Sequence, residues 1–274
     1  MVSTAQTPDF AAIKARQRQT WASGDYARVG AVLVLISERL CEAADLRAGR
    51  RVLDVATGSG NTAIAAARRF CDVTGVDYVP SLLARARERA EAERLPITFE
   101  EGDAEALPYT DASFDVVLST LGTMFAPNQT QTARELLRVC RPGGTIGLAS
   151  WTPEGLLGEV FRAMGKHAPP PPTGLASPFR WGTEAGLREL FGDEITALTA
   201  TKRTLAFRFP SVEFYVGYMR DHYGPTLKAF EAQDAAGRER LAADFAAVTA
   251  RFNTSGDDTL VMHGEYLEAV ATRR

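Results

Sequence analysis

Residues 52–63, VLDVATGSGNTA, place Gly58 and Gly60 between a short apolar run and an alanine-rich one. Glycine lets the backbone turn sharply and approach a ligand with no Cβ in the way. Gly58-Ser59-Gly60, followed by Ala63, satisfies the loose G-x-G-x-x-G/A pattern of dinucleotide-binding turns. Asp77 comes 17 residues after Gly60, where a carboxylate can accept from both hydroxyls of a ribose. Asp54 stands four residues before Gly58. A pyrophosphate gives no reason for a carboxylate so near, whereas a ligand carrying an ammonium group does. In Glu101-Gly102-Asp103-Ala104-Glu105 an acidic side chain can accept from an adenine amino group, and the next backbone N–H can serve a ring nitrogen. Two of these carboxylates also have a plainer reading: Asp77 as a cap or turn residue, Asp103 as the head of an Asx-turn.

These groups need elements that bring them to one edge. Arg51–Ala56, Asp72–Asp77, Ile97–Asp103, Phe114–Thr120 and Thr145–Trp151 read as strands. Asn61–Phe70, a segment from Ser81 to about Arg94 with Ser81 as its cap, and Gln129–Val139 read as the helices between them. Strands alternating with helices over about 100 residues predict an α/β fold with a parallel sheet and helices on both faces. Before this unit, residues 8–45 read as two helices, broken at Gly24-Asp25, the second running from Tyr26 to about Ala44. After it come a helix at 153–165, the tetraproline 169–172 as a stiff connector, and a helix at 184–191 capped by Thr183. Residues 195–209 and 259–273 have strand character; 212–223 and 234–252 read as helices.

Composition narrows the function classes. The 274 residues carry 31 Lys+Arg against 34 Asp+Glu, a net charge of −3. That lacks the basic footprint of a chain that grips nucleic acid phosphates. The arginines at 85, 87, 89 and 94 alternate with Glu88, Glu91 and Glu93 and read as a solvated helix face. Cys41, Cys71 and Cys140 are odd in number and far apart, as expected of small buried residues in a reducing compartment. Three histidines supply no metal-ligand cluster, so no metal is expected. The first 21 residues have no apolar signal core, and the longest apolar run, Val29–Ile36, is far short of the ~20 residues of a membrane span. The expectation is a soluble cytoplasmic protein, monomer or homodimer, that engages neither membrane nor nucleic acid.

VLDVATGSG, VTGVDYVPSLL, EGDAEALPYTDASFDVVLST and ELLRVCRPGGTIGLASW, in this order over about residues 50–151, resemble the class I S-adenosylmethionine (SAM)-dependent methyltransferases of the ubiquinone/menaquinone-biosynthesis-like type. The general family pattern is D/E-x-G-x-G-x-G; this chain has Ala56 at the first glycine position, as the ubiquinone-type branch also does. The resemblance implies a Rossmann-like seven-stranded sheet of order 3-2-1-4-5-7-6 with the last strand antiparallel. It implies a lid over residues 1–45, a cofactor core over 46–151, and substrate-cap helices with the last two strands over 152–274. It also implies SAM as methyl donor and S-adenosylhomocysteine (SAH) as product. Asp54 and the backbone around Ala56, Gly58 and Ser59 would face the methionine part, Asp77 the ribose, Tyr78 the adenine ring, and Asp103 and Ala104 the adenine edge. Ser119 would lie near the methionine carboxylate or the methyl group. Trp21 and Tyr26, on an N-terminal lid, are candidates to reach the cofactor or to pack lid on core.

Methyl transfer from a sulfonium asks the protein chiefly to position a nucleophile and exclude water. A general base is needed only for some acceptors. His222, in His222-Tyr223-Gly224-Pro225, is the candidate base, or else a residue at a helix end. Tyr223, Trp181 and Tyr215 are candidates to line a substrate pocket, or core residues. After the fourth strand comes Ser119-Thr120-Leu121-Gly122, unlike the D/N-P-P-Y/F loop of amino-group nucleic acid methyltransferases. The expected function is methylation of an O, N or C nucleophile of a small organic molecule. The alternatives are a SAM-binding scaffold, regulator or cyclase without transfer, and an NAD(P)-dependent oxidoreductase.

Overall fold

The computed structural model describes residues 8–274. The first seven residues of the expected lid lie outside the described residues. The chain runs α1 (Phe10–Ala22), α2 (Tyr26–Ala31), α3 (Val34–Ala43), β1 (Arg51–Val55), α4 (Asn61–Ala67), β2 (Asp72–Asp77), α5 (Pro80–Ala92), β3 (Ile97–Glu101), β4 (Phe114–Thr120), α6 (Gln129–Val139) and β5 (Cys140–Trp151). It continues α7 (Leu156–Gly165), α8 (Glu184–Phe191), β6 (Ile195–Phe209), α9 (Val212–His222), α10 (Gly224–Glu231), α11 (Ala235–Arg251) and β7 (Leu260–Arg273). One seven-stranded sheet has the order β3-β2-β1-β4-β5-β7-β6. The strands from β3 to β5 are parallel; β7 runs antiparallel to both β5 and β6.

The parallel half is buried on both faces, which is why β1 and β4 read as nearly continuous apolar runs. Parallel register aligns Val55 with Val76 and Asp77 with Glu101, so the carboxyl ends of β1, β2 and β3 share one edge. α4 is built of small residues, and Ala63 to Ala67 are all buried, which lets this helix lie close to the sheet. Among the described residues, no helix is long and apolar enough to cross a membrane.

Several local expectations are corrected. Ser81 does not cap α5: the helix starts at Pro80, and the Val79 N–H is taken instead by the Asp77 carboxylate. The helix expected from Tyr26 to Ala44 is two helices, because Asn61 donates to the Gly30 carbonyl at the turn where they separate. Its second half, α3, lies within the expected lid range yet packs on the sheet, with Ile36, Leu40 and Cys41 fully buried in the core. β5 begins at Cys140 rather than Thr145, because Phe114 pairs with Cys140 before the register shifts. α10 was not expected; Gly224 and Pro225 open it immediately after α9.

Candidate functional site

At the carboxyl end of β1 the chain enters a turn with three left-handed residues: Ala56 (φ 54°), Gly58 (φ 56°) and Gly60 (φ 85°). The turn is held by the Thr57 N–H on the Val76 carbonyl and the Gly60 N–H on the Thr57 carbonyl. A Cβ on Gly58 would meet nothing within 4 Å: this residue faces open space. Ala56 does carry a methyl group, at a cost of roughly 1–2 kcal/mol for its left-handed backbone. Gly122 makes the room; a Cβ there would stand 2.6 Å from that of Ala56. Ser119 is buried beneath this contact. Its hydroxyl donates to the Val55 carbonyl at 2.7 Å and accepts the Thr123 N–H at 3.1 Å. It ties the two loops together and does not line the cavity; its neighbour Thr120 does. Gly60 likewise sits below the cavity, against Ala86.

The turn and the sheet edge bound a cavity of about 190 Å³ with mostly apolar walls. Asp54, Ala56, Gly58, Ser59, Asp77, Tyr78, Asp103 and Ala104 all line it. Asp54 is 1% exposed and accepts from the Thr57 hydroxyl at 2.5 Å and the Ala63 N–H at 3.0 Å. Burial pushes its carboxyl up to about 7 against these two donors. Asp77 is 5% exposed and accepts from the N–H groups of Gly58 and Val79, one on each oxygen, at 2.9 Å. Burial pushes it up to about 6. Two buried carboxyls held above the ordinary carboxylate range suit a site that receives hydrogen-bond donors or positive charge.

At the far end Asp103 accepts the Glu105 N–H at 2.9 Å. It also pairs with Lys14 of α1, whose ammonium lies 2.6 Å from Asp103 and 2.8 Å from Glu105. Lys14 escaped the sequence reading: a single lysine on a short helix carries no signal that it will meet acids 89 residues away. Gln17, which donates to the Phe125 carbonyl at 3.0 Å, escaped it for the same reason.

The roof is aromatic. The Trp21 ring lies 5.0 Å from Phe125, 5.7 Å from Tyr26 and 6.2 Å from Tyr223, and Tyr26 lies 5.9 Å from Tyr223. The Tyr26 hydroxyl accepts the Gly224 N–H at 3.2 Å, and the Asp25 N–H donates to the His222 carbonyl at 2.9 Å. The α1–α2 junction is thus fastened to the α9–α10 junction over the glycine turn. Trp21, Tyr26 and Tyr223 line the cavity. The other three candidates do not. His222, in the last turn of α9, sets its ring 4.9 Å from that of Tyr218 instead. Trp181 is fully buried against Phe191. Tyr215 is packed between Phe209 and Phe245. Both are core.

A family model described as a methyltransferase domain matches residues 52–144. An uncharacterized protein of Mycobacterium tuberculosis is 37% identical over 266 residues, 96% of each chain. The demethylmenaquinone methyltransferase of Deinococcus radiodurans is 46% identical over 125 residues, 44% of this chain and 52% of its own. Among solved structures, the YcgJ protein of Bacillus subtilis shares the fold with a TM-score of 0.62 at 20% identity, over 87% of this chain and 98% of its own.

Proposed function

The chain belongs to the class I SAM-dependent methyltransferases of the ubiquinone/menaquinone-biosynthesis type, and on that premise we propose that it methylates an O, N or C nucleophile of a small organic molecule. The observation that carries this reading is one cavity that brings together two kinds of lining: Asp54, Gly58, Asp77 and Asp103 at the ends of β1–β3, and the aromatic rings of Trp21, Tyr26, Phe125 and Tyr223.

The residues fit the cofactor. A Cβ on Gly58 would fill the space that a ligand needs for close approach to the turn. Each Asp77 oxygen accepts one backbone N–H and keeps acceptor capacity for a ribose hydroxyl. Asp54 would hold the methionine ammonium, Tyr78 would lie beside the adenine, and Asp103 with the Ala104 N–H would serve the adenine edge. When bound, SAM supplies a methyl carbon already activated by a positive sulfonium. The protein's part is then to orient the acceptor, which the aromatic wall does by shape, and to exclude water, which the α1–α2 and α9–α10 junctions do by closing over the turn.

The expected result is micromolar binding of SAM and SAH and none of NADH, by calorimetry. Methyl-labelled SAM offered with phenols, quinones, polyketides and amines should then yield a labelled product in mass spectrometry. Binding of NADH but not SAM would sink the proposal.

A pH dependence follows from the two buried carboxyls. Both have folded-state values above the ordinary unfolded one near 4. The stability this gives the free protein is fully present below about pH 4 and is lost as pH rises through about 7. An ammonium and ribose hydroxyls favour the ionised forms, so binding releases protons below that range. SAM affinity should rise roughly tenfold from pH 5.5 to 8 and then level off. Calorimetry at pH 6 in two buffers of different ionisation enthalpy should register the released protons. An affinity flat across this range refutes the roles given to Asp54 and Asp77.

A further inference from the structure

The arginine-rich face of α5, expected to be solvated, is not so at Arg89. This side chain is half-buried, and burial holds its guanidinium below the usual arginine range. Glu93, four residues on, is taken by Arg68 at 2.6 Å. Arg89 spends its donors on uncharged oxygens of the glycine turn. Its Nη1 donates to the Ser59 carbonyl at 2.5 Å, to the Ser59 hydroxyl oxygen at 3.2 Å and to the Asn61 Oδ1 at 2.8 Å. Taking a cation partly out of water for neutral partners is costly, so what these contacts secure matters.

Both receiving residues pass the grip on to α2. The Ser59 hydroxyl donates to the Tyr26 carbonyl at 3.0 Å, and the Asn61 Nδ2 donates to the Gly30 carbonyl at 2.8 Å. These carbonyls belong to the first and fifth residues of a helix of six. A helix so short is not held in place by its own hydrogen bonds. It also comes very close to the turn: a Cβ on Gly30 would stand 3.0 Å from the Ser59 hydroxyl oxygen and 3.4 Å from the Asn61 Nδ2. A hydroxyl and an amide can each face either way. Ser59 could accept where it now donates, and Asn61 could turn its Oδ1 on the Gly30 carbonyl. A guanidinium can only donate. Set on the Ser59 oxygen, it leaves the hydroxyl hydrogen for Tyr26. Set on the Asn61 Oδ1, it turns the amide hydrogens to Gly30.

Building on the proposed methyl transfer, we infer that Arg89 is a positioning residue: it fixes which way Ser59 and Asn61 face, which seats α2 on the glycine turn and sets Tyr26 and Trp21 at the cavity. Tyr26 is then held at two points, by its carbonyl on Ser59 and by its hydroxyl on the Gly224 N–H. The Trp21 ring packs 5.7 Å from the Tyr26 ring. Ser59, Asn61, Gly30 and Tyr26 line the cavity and Arg89 does not, so it acts through the residues it orients.

Trp21 reports the seating of α2, because the other two tryptophans, Trp151 and Trp181, are buried. Arg89→Met keeps the long stem and removes the donors. Acrylamide should quench the tryptophan fluorescence of this variant, free of ligand, more strongly than that of wild type. Its affinity for SAH, by calorimetry, should fall about tenfold, as expected for loss of a hydrogen bond from a charged group. Arg89→Lys should recover most of both differences, because all three contacts come from one nitrogen and an ammonium can replace it. Asn61→Asp separates the seat from the fold. A carboxylate there still receives Arg89 and suits the first turn of α4, but has no hydrogen for the Gly30 carbonyl. This variant should be folded by circular dichroism, yet be quenched and weakened toward SAH as Arg89→Met is. Wild-type quenching and SAH affinity in a folded Arg89→Met overturn the inference. So does an Asn61→Asp protein that behaves as wild type, or an Arg89→Lys protein no better than Arg89→Met. Should Arg89→Met not fold, Asn61→Asp decides. A wild type that binds neither SAM nor SAH fails the proposed function instead, while the quenching, which needs no ligand, still tests the seating.

Discussion

Asp77→Ala is expected to bind SAM roughly 10- to 150-fold more weakly than wild type. The range corresponds to losing charge-assisted hydrogen bonds worth about 1.5–3 kcal/mol. The effect is large because Asp77 serves two masters. Its oxygens fix the N–H groups of Gly58 and Val79, so the carboxylate shapes the glycine turn and the start of α5 as well as facing the cavity. Asp77→Asn keeps the shape but only one acceptor oxygen, so it can hold one of the N–H groups of Gly58 and Val79 and sets its own NH2 against the other. The asparagine variant should therefore lose stability, read as a lowered melting temperature, together with most of the affinity. Calorimetry in which Asp77→Ala holds SAM as tightly as wild type would remove Asp77 from the cofactor site.

Deleting residues 1–23 should leave a folded protein that binds SAM more weakly and transfers methyl at a small fraction of the full-length rate. The cut ends before Asp25, whose carboxylate caps α2, so Tyr26 keeps its helix. Fold integrity is expected because Ile13 is the one residue of α1 that is buried, whereas the core on this side is made by Ile36, Leu40 and Cys41 of α3. Function should fail because the deletion removes Trp21 from its contacts with Phe125 and Tyr223, Gln17 from the Phe125 carbonyl, and Lys14 from Asp103 and Glu105. The cavity would then be open to water above the glycine turn, and an acceptor would have no wall to orient it. A truncated protein that circular dichroism finds folded, and that transfers methyl at the full-length rate, would contradict this account.

The part of the cavity lining at the ends of β1–β3 was legible in the residues themselves because it is assembled from short-range features. Asp54, Ala56, Gly58 and Ser59 lie within six residues of one another, at a strand end whose apolar run identifies it. Parallel register then carries Asp77 and the stretch after Glu101 to the same edge without further information. The strand order and the antiparallel β7 came from the likeness to a known family; the chain's own pattern argued only for five alternating units and two later strand-like runs. The aromatic part of the lining could not be read this way. Periodicity indicates that one face of a helix is buried, but not what it is buried against. Trp21 and Tyr223 are 202 residues apart, and only the fastening of the α1–α2 junction to the α9–α10 junction makes them neighbours. The same dependence on distant partners separated three candidates: Tyr223 reached the cavity, Tyr215 went to the core, and His222 set its ring against Tyr218. One residue decides that last division. α9 ends at His222, and the extended backbone of Tyr223 makes these two neighbouring side chains leave the chain in different directions.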